Sequence, residues 1–249
     1  MDIQAIIFDL GGTLIEYAGP YAVWPDLETP GFEAAYVSLK GMGVKMPSFE
    51  KFRSTGFAIL PDRWQMATNG ERNLRLFDFL QEVLEICAVT GVNRVWLEEA
   101  ALLYQEAICA QAVPLDAAQE TLAFVKGQGY KIGLLSNTMF TGTAHIADLE
   151  RFSMDSFFDA MLFSGDVGKW KPSAGPYLDL LDQLDVAPEN GIFIGDDPVN
   201  DIVGGQRAGL RTILMRSSQR FRQPDGVRPG AVISHLAELP VVLAGWSNE

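Results

Sequence analysis

Short apolar segments alternate with amphipathic segments along most of the chain. The first, from Ile3 to Leu10, is rich in β-branched residues and runs into Gly11-Gly12, which predicts a buried strand followed by a tight turn. Similar patterns predict strands over residues 130–136, 160–163, 191–194, 211–215 and 231–234. Helices are predicted between them, over residues 117–128, 148–158, 174–184 and 201–208. This alternation predicts an α/β fold in which helices cover both faces of a parallel sheet.

From about residue 31 to residue 111 the pattern changes, and apolar residues recur at spacings of three and four. This spacing predicts helices over residues 31–41, 48–60, 71–88 and 94–111, and no strand. In the third helix, five residues are expected to share one apolar face: Leu74, Phe77, Leu80, Leu84 and Cys87. We therefore predict an α/β domain formed by residues 1–18 and 114–249, interrupted by a helical domain over residues 19–113.

Composition and charge narrow the range of molecules that this protein is expected to bind. The 249 residues are 48% hydrophobic and 20% charged, which is typical of a folded globular chain. Asp and Glu number 32 against 19 Lys and Arg, so the net charge is −13, and a surface this acidic repels nucleic acid and anionic membranes. No apolar run approaches the roughly 20 residues of a membrane span, and no secretory signal is visible. We expect a cytoplasmic protein; the sequence carries no prediction of oligomeric state.

The cysteines and histidines suggest no separate site. Cys87 and Cys109 fall in amphipathic stretches without metal-ligand spacing, which favours buried thiols. His145 and His235 are interpreted as surface or packing residues. The aromatic stretch that contains Tyr17, Tyr21 and Trp24 is expected to pack near the entry to the helical domain or to contact substrate.

Polar residues follow three of the predicted strands. Asp9 follows the first strand, Ser136-Asn137-Thr138 follow a later one, and Asp196-Asp197, with Asp201 nearby, follow a third. Ligands of open parallel sheets bind beyond the carboxyl ends of the strands, so these residues are expected to share a pocket. Two carboxylates about 4 Å apart repel by roughly 4 kcal/mol at an effective dielectric near 20. Such a cluster requires a cation or shared protons, and all-oxygen ligands favour a hard cation such as Mg²⁺.

Four segments together resemble the motifs of the haloacid dehalogenase-like hydrolase superfamily. These segments are Ile6-Ile7-Phe8-Asp9-Leu10-Gly11-Gly12-Thr13-Leu14, Leu134-Leu135-Ser136-Asn137-Thr138, Gly168 to Pro172, and Phe193-Ile194-Gly195-Asp196-Asp197 through Asn200-Asp201. The helical insertion resembles the family's C1-type cap. The resemblance implies a three-layer Rossmann-like core with an inserted all-helical cap, and it covers nearly the whole core.

The resemblance also implies a role for each matched residue. Asp9 would be the nucleophile that forms an aspartyl-phosphate, and Lys171 would orient it and neutralise the phosphoryl charge. The phosphoryl group of a small phosphorylated metabolite would be held by Lys171 together with Gly12, Thr13, Ser136 and Asn137. A Mg²⁺ ion would be bound by Asp9, the carbonyl of Gly11, Asp196, Asp197 and Asp201.

Gly11 departs from the family pattern, because phosphatases of the family usually carry there a second Asp that protonates the leaving group. A positioned acid typically contributes about 10²- to 10⁴-fold to the rate. Three interpretations remain open. The first is a Mg²⁺-dependent phosphatase with Glu16, Tyr17 or water as the acid, or with a leaving group that needs none. The second is a phospholigand-binding or regulatory protein, and the third is a metal-independent dehalogenase-like hydrolase. We expect the phosphatase first and the dehalogenase last.

Overall fold

The computed structural model describes residues 3–17, 19, 23–216 and 224–246. Its central feature is a six-stranded, wholly parallel sheet with the strand order β5-β4-β1-β6-β7-β8. The strands are β1 (Ala5–Phe8), β4 (Lys131–Ser136), β5 (Ala160–Phe163), β6 (Gly191–Gly195), β7 (Arg211–Met215) and β8 (Ala231–Ile233). All six lie within or beside the segments that the apolar pattern predicts, and the α/β prediction is confirmed.

Helices cover both faces of this sheet because its strands are apolar on both sides. Ile6 and Phe8 of β1 belong to one hydrophobic cluster, and Ala5 and Ile7 belong to the cluster on the opposite face. Helices α5, α6 and α10 supply buried residues to the first cluster, and α8 supplies them to the second. Their bounds and those of the shorter helices are α5 (Ala118–Gly127), α6 (Gly142–Arg151), α7 (Ser164–Val167), α8 (Gly175–Leu184), α9 (Gly204–Arg207) and α10 (Leu239–Trp246).

Four helices lie between the first and second strands of the sheet, in a segment that we call the helical insert (residues 23–111). They are α1 (Thr29–Gly41), α2 (Phe49–Thr68), α3 (Leu76–Ile86) and α4 (Arg94–Cys109). Their core is aromatic: the Phe32 ring makes edge-on contacts with Phe52, Phe57, Phe79 and Tyr104 at centroid distances of 5.2–6.0 Å. Such pairs are worth about 0.5–1.5 kcal/mol each beyond their buried area.

The insert joins the sheet domain through a two-stranded antiparallel ribbon that the sequence did not predict. Strand β2 (Ile15–Tyr17) pairs with β3 (Ala112–Pro114), with Tyr17 opposite Ala112. Both strands have only three residues, which is too short for a periodicity of two to be seen. Strand β3 lies just beyond residues 31–111, the stretch predicted to be wholly helical, and the predicted boundary at 113/114 falls inside this strand.

Two predicted helices of the insert have different bounds in the structure. Helix α2 continues through Pro61 to Thr68, because the turns on both sides of the proline bury Leu60 and Ala67. A proline inside a helix costs about 3 kcal/mol, and this burial offsets it. Helix α3 begins only at Leu76, so Leu74 is buried but lies before the helix. The buried face contains Leu80 and Leu84 as predicted, but Leu76, Phe79 and Val83 complete it, whereas Phe77 and Cys87 are only partly buried.

Two predicted helices of the sheet domain are also corrected. Helix α6 spans Gly142–Arg151 rather than residues 148–158, and its first turn is held by the Asp166 carboxylate, which accepts a hydrogen bond from the Gly142 N–H at 2.9 Å. The helix predicted from residue 201 begins instead with a wide turn over Pro198–Val203, which leads into α9. Both helix starts depend on hydrogen bonds from backbone N–H groups to aspartate side chains, and the spacing of apolar residues does not indicate such bonds.

Cys87 is half-buried and Cys109 is buried, and both are free thiols. Within the described ranges, no helix combines the length and the apolar character needed to cross a bilayer. The cytoplasmic location stays a prediction.

Candidate active site

The adjacent strands β4, β1 and β6 end at one edge of the sheet and bring three distant polar residues together. Asp9 follows β1 directly, Ser136 is the last residue of β4, and Asp196 follows β6. The backbone N–H of Asp9 also donates to the Ile194 carbonyl of β6 at 2.8 Å, which fixes the turn beside β6. These residues line a cavity of about 960 Å³ between the sheet edge and the helical insert. The sequence prediction that the strand ends share a pocket is met by this geometry.

Lys171 lies at the floor of the cavity and binds two carboxylates. Its Nζ is 2.6 Å from Asp9 Oδ1 and 2.7 Å from Asp201 Oδ1. The Lys171 side chain is only 2% exposed. Burial alone would lower the pKa of Lys171, but the charges of Asp201 and Asp9 outweigh burial and hold that pKa above its usual value. Lys171 is therefore a permanent cation at the end of β1.

Three carboxylates converge beside this lysine. One oxygen each of Asp9, Asp196 and Asp201 lies within 4.8 Å of the others. Burial and the neighbouring carboxylates raise the pKa of Asp196 to about 9, and burial also raises the pKa of Asp201, to about 7, although Lys171 opposes that rise. One lysine does not balance three carboxylates, and an all-oxygen donor set of this kind suits a hard divalent cation. The residues present thus fit Mg²⁺.

Two glycines allow the carboxylates to approach this closely. Gly12 has a φ of +84°, and a Cβ at this position would lie 2.1 Å from Asp196 Oδ2. A Cβ at Gly195 would lie 2.2 Å from Asp201 Oδ2. The glycine at position 12 is therefore required both by the turn and by the space that Asp196 occupies.

Asp197 has a different role from its neighbours in the structure. Its carboxylate accepts hydrogen bonds from the backbone of Val199 and Asn200 and from the Asn200 side chain at 2.6–3.0 Å, so it caps the wide turn. Its backbone N–H donates to Asp201 Oδ2 at 2.8 Å, which aims Asp201 at Lys171. Asp197 lines the cavity but lies outside the group of three carboxylates.

Of the remaining predicted phosphate ligands, two line the cavity, whereas Gly12 and Thr13 are not among its described lining residues. Ser136 and Asn137 line the cavity, and both polar ends of the Asn137 side chain bond the backbone of Lys171, at 2.9 and 3.0 Å. Thr13 is fully buried, and its hydroxyl approaches Asp9 Oδ2 at 3.4 Å. Asn137 and Thr13 therefore position Lys171 and Asp9 in this structure.

Gly11, which lacks the side chain of an acid, lines the cavity beside Tyr17. A Cβ at Gly11 would lie 3.7 Å from the Tyr17 ring, which is an ordinary contact distance. The Tyr17 hydroxyl shares a hydrogen bond of 3.2 Å with His145 Nδ1, and His145 Nε2 shares one of 2.8 Å with the Thr138 hydroxyl. Burial lowers the pKa of His145 to about 4 and raises the pKa of Tyr17 well above its usual value. Both side chains are thus neutral near pH 7.

Several lining residues were not predicted as site residues. His145 was interpreted as a surface or packing residue, and it packs between Phe140 and Phe163 while also lining the cavity. His235 is exposed, Tyr21 lies outside the described residues, and Glu16 is not among the described residues that line the cavity. The insert contributes Val23, Trp24, Leu27, Glu28, Trp64, Ile108 and Gln111. Only Trp24 had a sequence signal, its place in the aromatic stretch.

Comparison with known proteins gives matches over most of the chain. A model of the haloacid dehalogenase-like hydrolase family matches residues 3–209. The chain is 29% identical over 222 residues to the ribulose-1,5-bisphosphate 5-phosphatase of Halopiger xanaduensis, which covers 86% of this chain and 85% of that protein. It is 33% identical over 126 residues to the pyrophosphatase PpaX of Bacillus mycoides, but this match covers only 50% of the chain and 57% of the relative.

Solved structures are similar in fold over the full length. A 2-haloacid dehalogenase from Pseudomonas syringae pv. Tomato DC3000 superposes with a TM-score of 0.70 and covers 98% of this chain and 99% of its own. Sequence identity to it is 23%, so this likeness concerns the fold alone.

Proposed function

The chain belongs to the haloacid dehalogenase-like hydrolases, and on that premise we propose that it is a Mg²⁺-dependent phosphatase that hydrolyses a small phosphate monoester through an aspartyl-phosphate on Asp9. The single observation that carries the proposal is the cluster of Asp9, Asp196 and Asp201 around Lys171. A haloacid that loses halide needs no cation, whereas three clustered carboxylates favour one. The family relatives named as phosphatases agree with this choice.

Each described residue would do a defined part of the reaction. An Asp9 oxygen would attack the phosphorus, and the phosphorus–oxygen bond to the leaving group would break. Lys171 would hold Asp9 in position and neutralise charge on the phosphoryl oxygens, with Ser136 as a further donor. Water would then attack the phosphorus, which restores the Asp9 carboxylate and releases inorganic phosphate.

Mg²⁺ would be held by Asp9, Asp196, Asp201 and the Gly11 carbonyl, and it supplies charge neutralisation between the carboxylates and the phosphate. We propose Asp197 only as a positioning residue, through its contact with Asp201. The helical insert would act as a cap that excludes water from the cavity. The boundary predicted at 18/19 lies just after β2 and the one predicted at 113/114 lies within β3, so the cap would begin and end at this ribbon. Its contacts with the sheet domain include Asn73 and Arg75, whose side chains donate to the Gly165 carbonyl at 3.1 and 3.2 Å.

The test measures phosphate release from p-nitrophenyl phosphate and from acetyl phosphate, because neither leaving group needs an acid. Turnover of both is expected with Mg²⁺ and is expected to vanish after chelation and in Asp9→Asn. Acid-quenched enzyme should carry one phosphoryl group on the peptide that contains Asp9. Halide release from a 2-haloacid without metal would identify a dehalogenase instead. Absence of both activities, with thermal stabilisation by phosphate, would identify a binding protein.

A further inference from the structure

The part of the cavity that the helical insert forms is mainly apolar. Val23, Trp24, Leu27, Trp64 and Ile108 contribute aliphatic and aromatic surface, and Met139 and Phe140 of the sheet domain extend it. Among the described residues of the insert that line the cavity, Glu28 has a carboxyl side chain and Gln111 an amide, and Trp24 and Trp64 carry one indole N–H each. Small-molecule sites of about 300–1,000 Å³ take their affinity from such apolar surface and their orientation from a few polar groups. The volume of about 960 Å³ exceeds what a phosphoryl group alone requires.

Two tryptophans of the insert, Trp24 and Trp64, line the cavity and form what we call the tryptophan wall, and the buried Trp170 packs against Trp64 without being among the described lining residues. The Trp24 and Trp64 rings are 6.0 Å apart at 60°, and the Trp64 and Trp170 rings are 5.1 Å apart at 82°. Trp170 is fixed by its indole N–H, which donates to Asn73 Oδ1 at 2.8 Å, and it directly precedes Lys171 in the chain. Lys171 and the tryptophan wall thus line the same cavity, and the wall offers aromatic surface to a planar ring attached to a phosphoryl group.

The charges of the lining disfavour a second anionic group on the substrate. Among the described lining residues, Lys171 is the one side chain with a fixed positive charge, and it already binds Asp9 and Asp201. His145 is neutral at physiological pH. On the insert side, the Glu28 carboxyl accepts a hydrogen bond from the Tyr104 hydroxyl at 3.0 Å and would face the substrate's leaving group. A carboxylate or second phosphate on the leaving group would lie near the Glu28 carboxyl, and the described lining residues offer no second cation to compensate its charge.

Gly11 adds an independent constraint on the leaving group. Without an acid at this position, the oxygen that departs from phosphorus must carry its electron pair away without a proton. A phenol has a pKa of about 10, whereas an alkoxide is roughly as basic as hydroxide, whose conjugate acid has a pKa of about 15.7. The absence of an acid therefore penalises alkyl esters far more than aryl esters.

These observations converge on one substrate class. We propose that the protein hydrolyses phosphate monoesters of phenols that carry no second anionic group. This inference rests on the proposed phosphatase activity. The Asp9 oxygen forms a bond to phosphorus, the aryl oxygen–phosphorus bond breaks, and the phenolate leaves with the electron pair and takes a proton from water. Hydrolysis of the aspartyl-phosphate then gives inorganic phosphate, so that the ester and one water yield a phenol and phosphate.

The experiment compares phenyl phosphate with 4-carboxyphenyl phosphate, ethyl phosphate and diphosphate, all with Mg²⁺, and uses acetyl phosphate as a small reference substrate. We expect kcat/KM for phenyl phosphate to exceed that of the other three by about tenfold or more. Trp64→Ala should lower the ratio of kcat/KM for phenyl phosphate to kcat/KM for acetyl phosphate by about tenfold, mainly through a higher KM for phenyl phosphate. Trp96→Ala is the matched control, because Trp96 packs in the insert but does not line the cavity.

Binding gives a second readout that does not depend on turnover. Calorimetric titration of the inactive variant Asp9→Asn should show tighter binding of phenyl phosphate than of ethyl phosphate, and the added variant Trp64→Ala should remove the difference. Turnover of acetyl phosphate without a preference for phenyl phosphate, or with equal effects of Trp64→Ala on both, would overturn the substrate class and leave the phosphatase intact. No turnover of any phosphate would overturn the proposed function itself.

Discussion

The ammonium of Lys171 lies 2.6 Å from a carboxylate oxygen of Asp9, although 162 residues separate the two in the chain. The same ammonium is 2.7 Å from Asp201, and all three side chains are nearly inaccessible to water. This pairing connects the end of β1 to the loop before α8 and to the wide turn after β6. Buried charges of this kind are costly when one partner is removed, because the other is left without compensation.

Lys171→Met should therefore affect stability as well as activity. We expect phosphate release to be lost and the free energy of unfolding to fall by about 3 kcal/mol in metal-free buffer, since Asp9 and Asp201 lose their shared cation. Urea unfolding measures the second effect. Lys169→Met is the control, because Lys169 is half-exposed and pairs only with the surface carboxylate of Asp179, a contact worth at most about 1 kcal/mol. Equal, small losses in both variants would contradict the structural role of Lys171.

Gly11→Asp tests whether the missing acid limits the reaction. The added Cβ has room, at 3.7 Å from the Tyr17 ring, so the variant should fold. We expect kcat for ethyl phosphate to rise by tenfold or more, toward the roughly 10²- to 10⁴-fold that a positioned acid provides, while phenyl phosphate changes little. Steady-state kinetics with the two esters measure this.

Gly12→Asp provides the matched comparison at the next position. Its Cβ would lie 2.1 Å from Asp196 Oδ2 at a φ of +84°, so this variant should lose both stability and activity. A folded Gly11→Asp protein with unchanged turnover of ethyl phosphate would show that proton transfer to the leaving group is not limiting.

Three residues of the candidate site could be predicted from sequence because they follow apolar strands directly. Asp9, Ser136 and Asp196 each stand at or just after the end of a buried strand, and a parallel sheet places such ends together. The distinction between Asp197 and Asp201 could not be predicted. It depends on the wide turn over Pro198–Val203, which leaves Asp197 as a cap and directs Asp201 toward Lys171.

The other residues that line the cavity were harder to predict from the sequence. Tyr17 and His145 are 128 residues apart and meet only because β2 leads the chain back beside α6. Trp64 lies beyond Pro61, where the pattern predicted that its helix had already ended. Such contacts depend on how two separately formed hydrophobic clusters pack together. The spacing of apolar residues within one segment gives no information about that packing.

Glu28 should make stability depend on pH. Burial raises its pKa to about 7, against about 4.3 for an ordinary glutamate. Between these values the folded chain keeps a proton that the unfolded chain releases, so the contribution of Glu28 to stability falls as pH rises from about 4.3 to about 7. Glu28→Gln removes this dependence. The free energy of unfolding of Glu28→Gln minus that of wild type should therefore increase by about 1–3 kcal/mol between pH 5 and pH 8. The lower part of this range is expected if water in the cavity solvates the carboxylate.

Urea unfolding of both proteins at the two pH values measures this difference, in which the other titrating groups cancel. Glu33→Gln serves as the control, because Glu33 is exposed on α1. A difference between Glu28→Gln and wild type that stays constant with pH would mean that Glu28 is solvated as an ordinary surface glutamate.

Tyr17→Phe separates two explanations of how a phosphatase works with glycine at position 11. Tyr17 stands beside Gly11, and its hydroxyl could replace the missing acid. However, burial and nearby negative charges raise its pKa, which makes it a poorer proton donor, and the hydroxyl is already engaged with His145. A phenolate also leaves without a proton donor far more readily than an alkoxide does. We therefore expect Tyr17→Phe to keep kcat for phenyl phosphate within about threefold of wild type and to lose about 1 kcal/mol of stability with its hydrogen bond.

Tyr36→Phe is the matched control for the stability effect, since it removes a hydroxyl that donates to the Pro47 carbonyl at 2.8 Å, away from the cavity. The pH profile of kcat distinguishes the mechanisms further, because loss of an essential acid would remove the fall in rate at high pH as well as lowering the rate itself. A drop of 10²-fold or more in Tyr17→Phe, with stability comparable to that of Tyr36→Phe, would assign proton donation to Tyr17. In that case the glycine at position 11 would no longer favour aryl esters, and the aromatic surface of Trp24 and Trp64 would be the remaining reason to expect them.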